Sequence, residues 1–465
     1  MCGIAGILNL NNRRVDPDQI ALMTNLLHHR GPDDHGYAFF DQQGRPLSRG
    51  RDLKSLNTNG ALAFGHRRLS ILDLAETGSQ PMSTPNGRLW ICYNGEIYNY
   101  LELKEQLIYQ GYTFLGTSDT EVILAAYQHW GTECVRLFNG MWAFALWDAK
   151  EKTLFCSRDR VGIKPFYYYL DDQRLVFASE IKSVLAALPP EKFDLHQPYL
   201  ARFIISGLLD DADDTLFAYV KQLPPAHCLL LKNNRPRFWR YWDIPSPCIE
   251  QADYAHLNEN EAVERFRDLL TDAVRLRLRA DVPVGTCLSG GLDSSSVVAL
   301  AAGALAAPLK TFTVEYREKD FSEGHYARAA ADYHRTDAHY ITPQPHQYID
   351  FIDRFSWYHD EPCPGPGPFS QWHVMQLASR HVKVVLDGQG ADELLAGYNH
   401  YFNYYLTSLL KRIFFSNGSP HRPTLKHYFH DYHAIARHLD MPWAQSCFHA
   451  FSHIANRSLP PSLRS

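Results

Sequence analysis

Residues 282–307 read VPVGTCLSGGLDSSSVVALAAGALAA. An apolar run up to Leu288 meets the pair Gly290-Gly291, and an apolar, alanine-rich stretch follows. This order predicts a short strand, a tight turn and a helix. It returns at 381–398, where HVKVVL leads through DGQG into ADELLAGY. Strands repeated in this way, each feeding a helix, predict a parallel doubly wound sheet with ligands at the carboxyl ends of its strands. Backbone N–H groups and the helix dipole make such a turn a phosphate site. It is no Walker A loop, because the Lys-Ser/Thr ending is absent.

Upstream, EAVERFRDLLTDAVRLRLR (261–279) places Val263, Phe266, Leu269, Leu270 and Val274 on one helical face. The polar, proline-bearing stretch 244–261 before it marks a domain boundary. From residue 2 to about 240 the language changes to strands and turns, in LWICYNGEIYNY (89–100), MWAFALWDAK (141–150), TLFCSRD (153–159) and RLVFASEI (174–181). Two helices interrupt them, at 16–30 and 119–130, the second with Asp119 or Thr120 as its cap. PCPGPGP (362–368) predicts a rigid loop. The expected division is 2–220, a connector 221–260, and 261–465.

With 465 residues, 45% hydrophobic and 21% charged, the chain has material for two domains or three. A net charge of -5 gives no electrostatic reason to expect nucleic acid or an acidic membrane. Nine cysteines without a CxxC pair suit a reducing cytosol. The longest apolar run, VVALAAGALAA (297–307), is roughly half a membrane span, and no leader pattern opens the chain. Neither secretion nor membrane insertion is expected, and a cytoplasmic location is.

The chain begins MCGIAG. Removal of Met1 before a small residue would leave Cys2 with a free amine. Such an amine has a reference pKa of ~7.7–8.0, so one residue carries both a nucleophile and a base. Further along stand RGPDD (30–34), GHRRLSILD (65–73), YNGEIYN (93–99), SDTEV (118–122) and SRDRVGIKPFYY (157–168). In this order they resemble the class II, N-terminal-nucleophile glutamine amidotransferases over about the first 220 residues. The resemblance implies a four-layer αββα sandwich, with Cys2 as nucleophile and the Asn94 side chain and Gly95 N–H as oxyanion hole. It also implies Arg68, Glu96 and Asp119 as the clamp on the carboxylate and ammonium of glutamine.

SGGLDSS (289–295) resembles the pyrophosphate loop of ATP pyrophosphatases. The resemblance implies ATP contacts from Leu288, Ser289, Gly290, Gly291, Asp293, Ser294 and Ser295, and from Val314 in FTVEY. LDGQGADELLAGY (386–398) resembles the family's second loop, with Asp387 and Gly388 at the nucleotide. Mg2+ would be held by Asp293 and Asp392. Gln389 stands where some relatives carry a glutamate used in adenylate formation, and is taken as a subgroup variant.

The two halves together resemble glutamine-hydrolysing asparagine synthetases across nearly the whole chain. The implied reaction releases ammonia from glutamine at Cys2, makes β-aspartyl-AMP from aspartate and MgATP, and aminates it to asparagine. Glutamine, aspartate and ATP are the implied partners, with a homodimer as one assembly the family allows. The family's C-terminal helical region, which supplies a lysine for the phosphates, has no match here, so an incomplete synthetase domain is expected; neither Lys383 nor Lys411 is assigned that role. Two alternatives stay open: a protein that only hydrolyses or binds glutamine, and an amide ligase for another carboxylate.

Overall fold

The computed structural model describes residues 1–209, 213–244, 257–318 and 322–415. Most of the stretch 244–261, read as a boundary, and the expected synthetase residues beyond 415 lie outside these ranges. The chain divides into two compact units, Met1–Leu386 and Asp387–Ser465.

The first unit begins with two stacked antiparallel sheets. One has seven strands, in the order Lys221–Gln222, Tyr167–Leu170, Arg174–Ala178, Gly3–Asn9, Leu62–Arg68, Asp34–Phe40 and Pro46–Gly50. The other has six: Arg235–Arg240, His227–Lys232, Thr153–Arg158, Gly140–Asp148, Leu89–Ile97 and Met82–Ser83. Every strand text singled out in the sequence is a strand here.

Period-two alternation makes the layers. Along Gly140–Asp148, Ala143, Ala145 and Trp147 face the core between the sheets, while Trp142, Phe144 and Leu146 face helices Tyr100–Tyr109 and Asp119–Trp130. Helices Pro17–Leu26 and Ile181–Leu185 cover the outer face of the seven-stranded sheet. Helix, sheet, sheet, helix is the expected αββα sandwich.

Three details differ from expectation. The helix at 119 is capped by Ser118, whose hydroxyl accepts the Thr120 N–H at 3.1 Å, so the Asp119 side chain is free to turn inward. The segment 221–240, expected as connector, supplies three strands of the sandwich. Its signal was Asn233-Asn234, both at positive φ, which closes the hairpin His227–Arg240. The third concerns helix Glu259–Arg277, which a capping box of Asn258 and Glu261 starts. Of its expected apolar face only Val274 is buried, whereas Val263, Phe266 and Leu269 are exposed among the described residues. Only the C-terminal end of this helix reaches the core.

A third sheet has four parallel strands, in the order Asp337–Ile341, Lys310–Val314, Val284–Cys287 and Val384–Leu386. Val274, Val298, Ala301, Ala327 and Ala331 pack on one face, and Val374, Leu377 and Ala378 on the other. This is the doubly wound arrangement, with the 288–295 turn at the carboxyl end of the strand Val284–Cys287. The second unit contributes helices Ala391–Leu395 and Asn399–Phe415. No described helix is long and apolar enough to cross a membrane.

Phe177 is fully buried between the sheets, stacked on Phe166 and edge-on to Phe64. Phe177→Ala should cost the sandwich ~3–5 kcal/mol, read as a lowered denaturant midpoint for loss of near-ultraviolet circular dichroism. An unchanged midpoint would contradict this packing.

Candidate functional site

The first site grows from one strand pairing. Gly3 lies opposite Arg67, so Cys2 comes to rest against the chain leaving the strand Leu62–Arg68. There the Leu69 N–H donates to Cys2 Sγ at 3.4 Å, and the thiol donates to the Leu69 carbonyl at 3.7 Å. Burial raises the Cys2 thiol pKa, while the Met1 amino group, the Leu69 N–H and Arg68 oppose it. With Met1 in place, burial also drives the Met1 amine down to about 5. Arg30 fixes the residue from behind, donating through Nε to the Cys2 carbonyl at 3.0 Å and through Nη1 to Glu180 at 2.9 Å.

In front of Cys2 opens a pocket with about 320 Å³ of empty volume, lined also by Arg68, Leu69, Tyr93, Gly95, Glu96 and Asp119. The structure therefore brings five of the six expected glutamine-site residues to one cavity. The sixth, Asn94, is the neighbour of Gly95 on the same strand. Its side chain is buried, and Nδ2 has no hydrogen-bond partner. An orphaned buried donor is rare and asks for a ligand oxygen. A methyl at Gly95 would overlap the Met141 carbonyl and the Tyr93 ring, so glycine is required by the neighbouring strand as well.

Arg68 is buried, and three of its N–H groups go to the carbonyls of Leu72, Asp73 and Ala75. Gly78 leaves room for this fork, since a side chain there would meet Nη2. Buried Asp119 and half-buried Glu96 form a carboxylate pair. Burial is the largest cause raising Glu96 well above the usual range; the charge of Asp119 adds to it and Lys164 opposes it. Asp119 is also raised by burial, although it accepts the Ile97 N–H at 2.9 Å and the Tyr93 hydroxyl at 2.8 Å. Asp119 is raised to about 6 and Glu96 lies further above the usual carboxylate range, so the pair is shaped for a cation. Leu69, Tyr93 and Lys164 were missed from sequence. Leu69 acts through its backbone, and Tyr93 and Lys164 acquire their roles only from burial.

The second site is the turn 288–295. Gly290 has φ +90°, and a Cβ there would strike the Ala327 amide, so only glycine fits. Ser289 and Ser294 share a hydroxyl bond of 2.9 Å, and Ser289 N–H donates to Ser294 Oγ at 3.3 Å. Gly291 caps helix Leu292–Ala304 without a side-chain bond, leaving its first amides for a ligand. That fits a phosphate. Asp293 in the first turn would repel it, which fits a bridging cation. Val314 ends its strand as expected. Asp387, Gly388, Gln389 and Asp392 belong to the second unit, where the Gln389 N–H donates to Asp387 Oδ1 at 3.3 Å. Lys383 sits at the amino end of its strand and pairs with Asp33 at 2.7 Å.

Residues 42–242 match the glutamine amidotransferase domain family, and 265–457 the asparagine synthase family. Fold and pocket thus define an N-terminal-nucleophile type amidotransferase sandwich joined to a parallel-sheet synthase region. A protein of Methanocaldococcus jannaschii, provisionally named glutamine-hydrolysing asparagine synthetase 2, is 35% identical over 89% of this chain and 78% of its own. Glutamine-hydrolysing asparagine synthetase 1 of Bacillus subtilis is 35% identical over 86% of this chain and 59% of its own. Amidase chry2 of Gibberella zeae is 31% identical over 86% and 59%. The chain belongs to the glutamine-hydrolysing asparagine synthetase family, and it spans about three-fifths of the length of the last two relatives.

An ammonium entering the pocket lowers the raised Glu96 and Asp119 values, so binding should expel protons and tighten as pH rises. Calorimetry of L-glutamine with the Cys2→Ala variant near pH 6.5, in buffers of different ionisation enthalpy, should show net proton release. Proton uptake would contradict the arrangement.

Proposed function

We propose that this chain hydrolyses glutamine at Cys2 and passes the ammonia to an adenylated carboxylate, with aspartate as the acceptor and asparagine as the product. The observation that carries the reading is the thiol of Cys2 at the Leu69 N–H, in one pocket with Arg68, Glu96 and Asp119.

With Met1 removed, the Cys2 amine takes the thiol proton as sulfur attacks the amide carbon. Asn94 Nδ2 and the Gly95 N–H receive the resulting oxyanion, where losing one donor typically costs ~10²–10³-fold in rate. The proton leaves with the departing ammonia, and water then cleaves the thioester to glutamate and free thiol. Arg68 takes the substrate carboxylate with its remaining N–H groups, and the carboxylate pair takes the ammonium.

At the second site the first amides of helix Leu292–Ala304 and the hydroxyls of Ser289, Ser294 and Ser295 hold ATP phosphates, with Leu288 and Val314 at the nucleotide. Asp293 is assigned to Mg2+, which would neutralise phosphate charge there. On the resemblance of their loop, Asp392 is proposed as a magnesium carboxylate and Asp387 and Gly388 as nucleotide contacts. Gln389 cannot act as a carboxylate and is given no chemical step. The reaction belongs in a reducing cytosol. A second reading is an amide ligase for another carboxylate; one relative, similar over 86% of this chain, carries a name other than asparagine synthetase.

The protein incubated with glutamine, aspartate and MgATP should yield glutamate, asparagine, AMP and pyrophosphate. Cys2→Ala should lower glutamine use by ~10³-fold or more while sparing synthesis from ammonium salts. Glutamate without AMP would remove the synthetase step, and a full glutaminase in Cys2→Ala would remove Cys2.

A further inference from the structure

The loop Leu69–Ala75 touches both the nucleophile and the cation of the first site. Leu69 meets the Cys2 thiol, and the carbonyls of Leu72, Asp73 and Ala75 hold the Arg68 guanidinium. Its shape is not one a free loop would keep. Asp73 has φ +51°, a left-handed conformation that persists where surroundings impose it.

Part of that imposition comes from residues that match the asparagine synthase family. The Asp73 N–H donates to Asp281 Oδ2 at 2.8 Å, and the Asp281 N–H donates to the Ile71 carbonyl at 3.0 Å. Two residues earlier, Arg279 donates to the Tyr98 carbonyl at 2.6 Å and pairs with Glu102, gripping the chain that leaves the opposite pocket wall. At the near end of the loop, the Ser70 N–H donates to Asp33 Oδ2 at 2.8 Å, and the same oxygen binds Lys383 Nζ at 2.7 Å.

Asp281 lies just before the strand Val284–Cys287 and Lys383 just before Val384–Leu386. These strands are parallel neighbours, Val284 opposite Val384, and the first runs directly into the 288–295 turn. Loop and turn therefore hang on opposite ends of one short, rigid strand.

We propose that Asp281, supported by Lys383, is a positioning residue for the glutamine pocket: it sets the loop Leu69–Ala75, and through it the hold of Arg68 on the substrate, from the synthase region. Asp281 touches no substrate. Its effect falls on glutamine affinity, because Arg68 grips a carboxylate that takes no part in bond making. The proposal rests on the glutamine reading for its kinetics, but not for the state of the loop.

The test uses the full chain with Asp281→Ala, Asp281→Asn and Lys383→Met. Hydrogen exchange followed by mass spectrometry should show the Ile71–Ala75 amides of Asp281→Ala exchanging about tenfold faster, the scale of one lost hydrogen bond. Asp281→Asn keeps an acceptor oxygen and should restore protection. Lys383→Met, at a half-exposed position, should speed exchange at Ser70 and secures the test if Asp281→Ala fails to fold. In glutamine hydrolysis, KM should rise about tenfold in Asp281→Ala with kcat within about twofold, and return in Asp281→Asn. Unchanged exchange at 71–75, equal acceleration across the whole sandwich, or a fall in kcat at constant KM would each overturn the proposal. A wild-type chain that hydrolyses no glutamine would instead defeat the proposed function, leaving the exchange pattern to decide the role of Asp281.

Discussion

The antiparallel pairing of Gly3–Asn9 with Leu62–Arg68, Gly3 opposite Arg67, is the constraint on which the first site depends. It delivers the second residue of the chain to the Leu69 amide and sets Arg68 beside it, so nucleophile and cation come from adjacent strands of one sheet. The carboxylates come from the other sheet: Glu96 ends the strand Leu89–Ile97, and Asp119 turns in from the helix behind it. The pocket forms where the ends of the two sheets meet. A one-residue slip would send these side chains to the wrong face.

Such a pocket costs electrostatic free energy when empty. Asp119 is buried beside a half-buried Glu96, and burial is the largest cause raising both. Lys164 offsets part of the charge while itself being pushed down to about 8 by burial, with Arg30 adding to the fall. Glu180, by contrast, is held down to about 2; burial opposes this, but His29, Arg30 and Lys182 surround it with cations and donors. Glu180 is structural, bracing Arg30 against the Cys2 carbonyl. Glu96 and Asp119 have no ion-pair partner among the described residues, an arrangement that suits an incoming cation.

Much of this was legible in sequence, for physical reasons that differ by residue. The strands announced themselves because both faces are buried and their apolar runs are nearly unbroken. Gly290 announced itself because its φ and the nearby Ala327 amide admit nothing larger. The Asn233-Asn234 pair, both at positive φ, is a hairpin signal within a stretch whose composition otherwise reads as a connector. Helix Glu259–Arg277 shows the converse, a clear apolar stripe of which the described residues bury only the last turns. Asp281 and Leu69 were illegible, since one acts through a contact some two hundred residues away and the other through its main chain.

The central claim is that Cys2, as the amino-terminal residue, attacks a glutamine carbonyl. A diazoketone analogue of glutamine, added in slight excess and followed by intact and peptide mass spectrometry, tests this most directly. The account predicts one adduct per chain, on a peptide that begins at Cys2 with Met1 gone, and protection by excess L-glutamine. An adduct on any other cysteine, or an unlabelled chain that still hydrolyses glutamine, would contradict it.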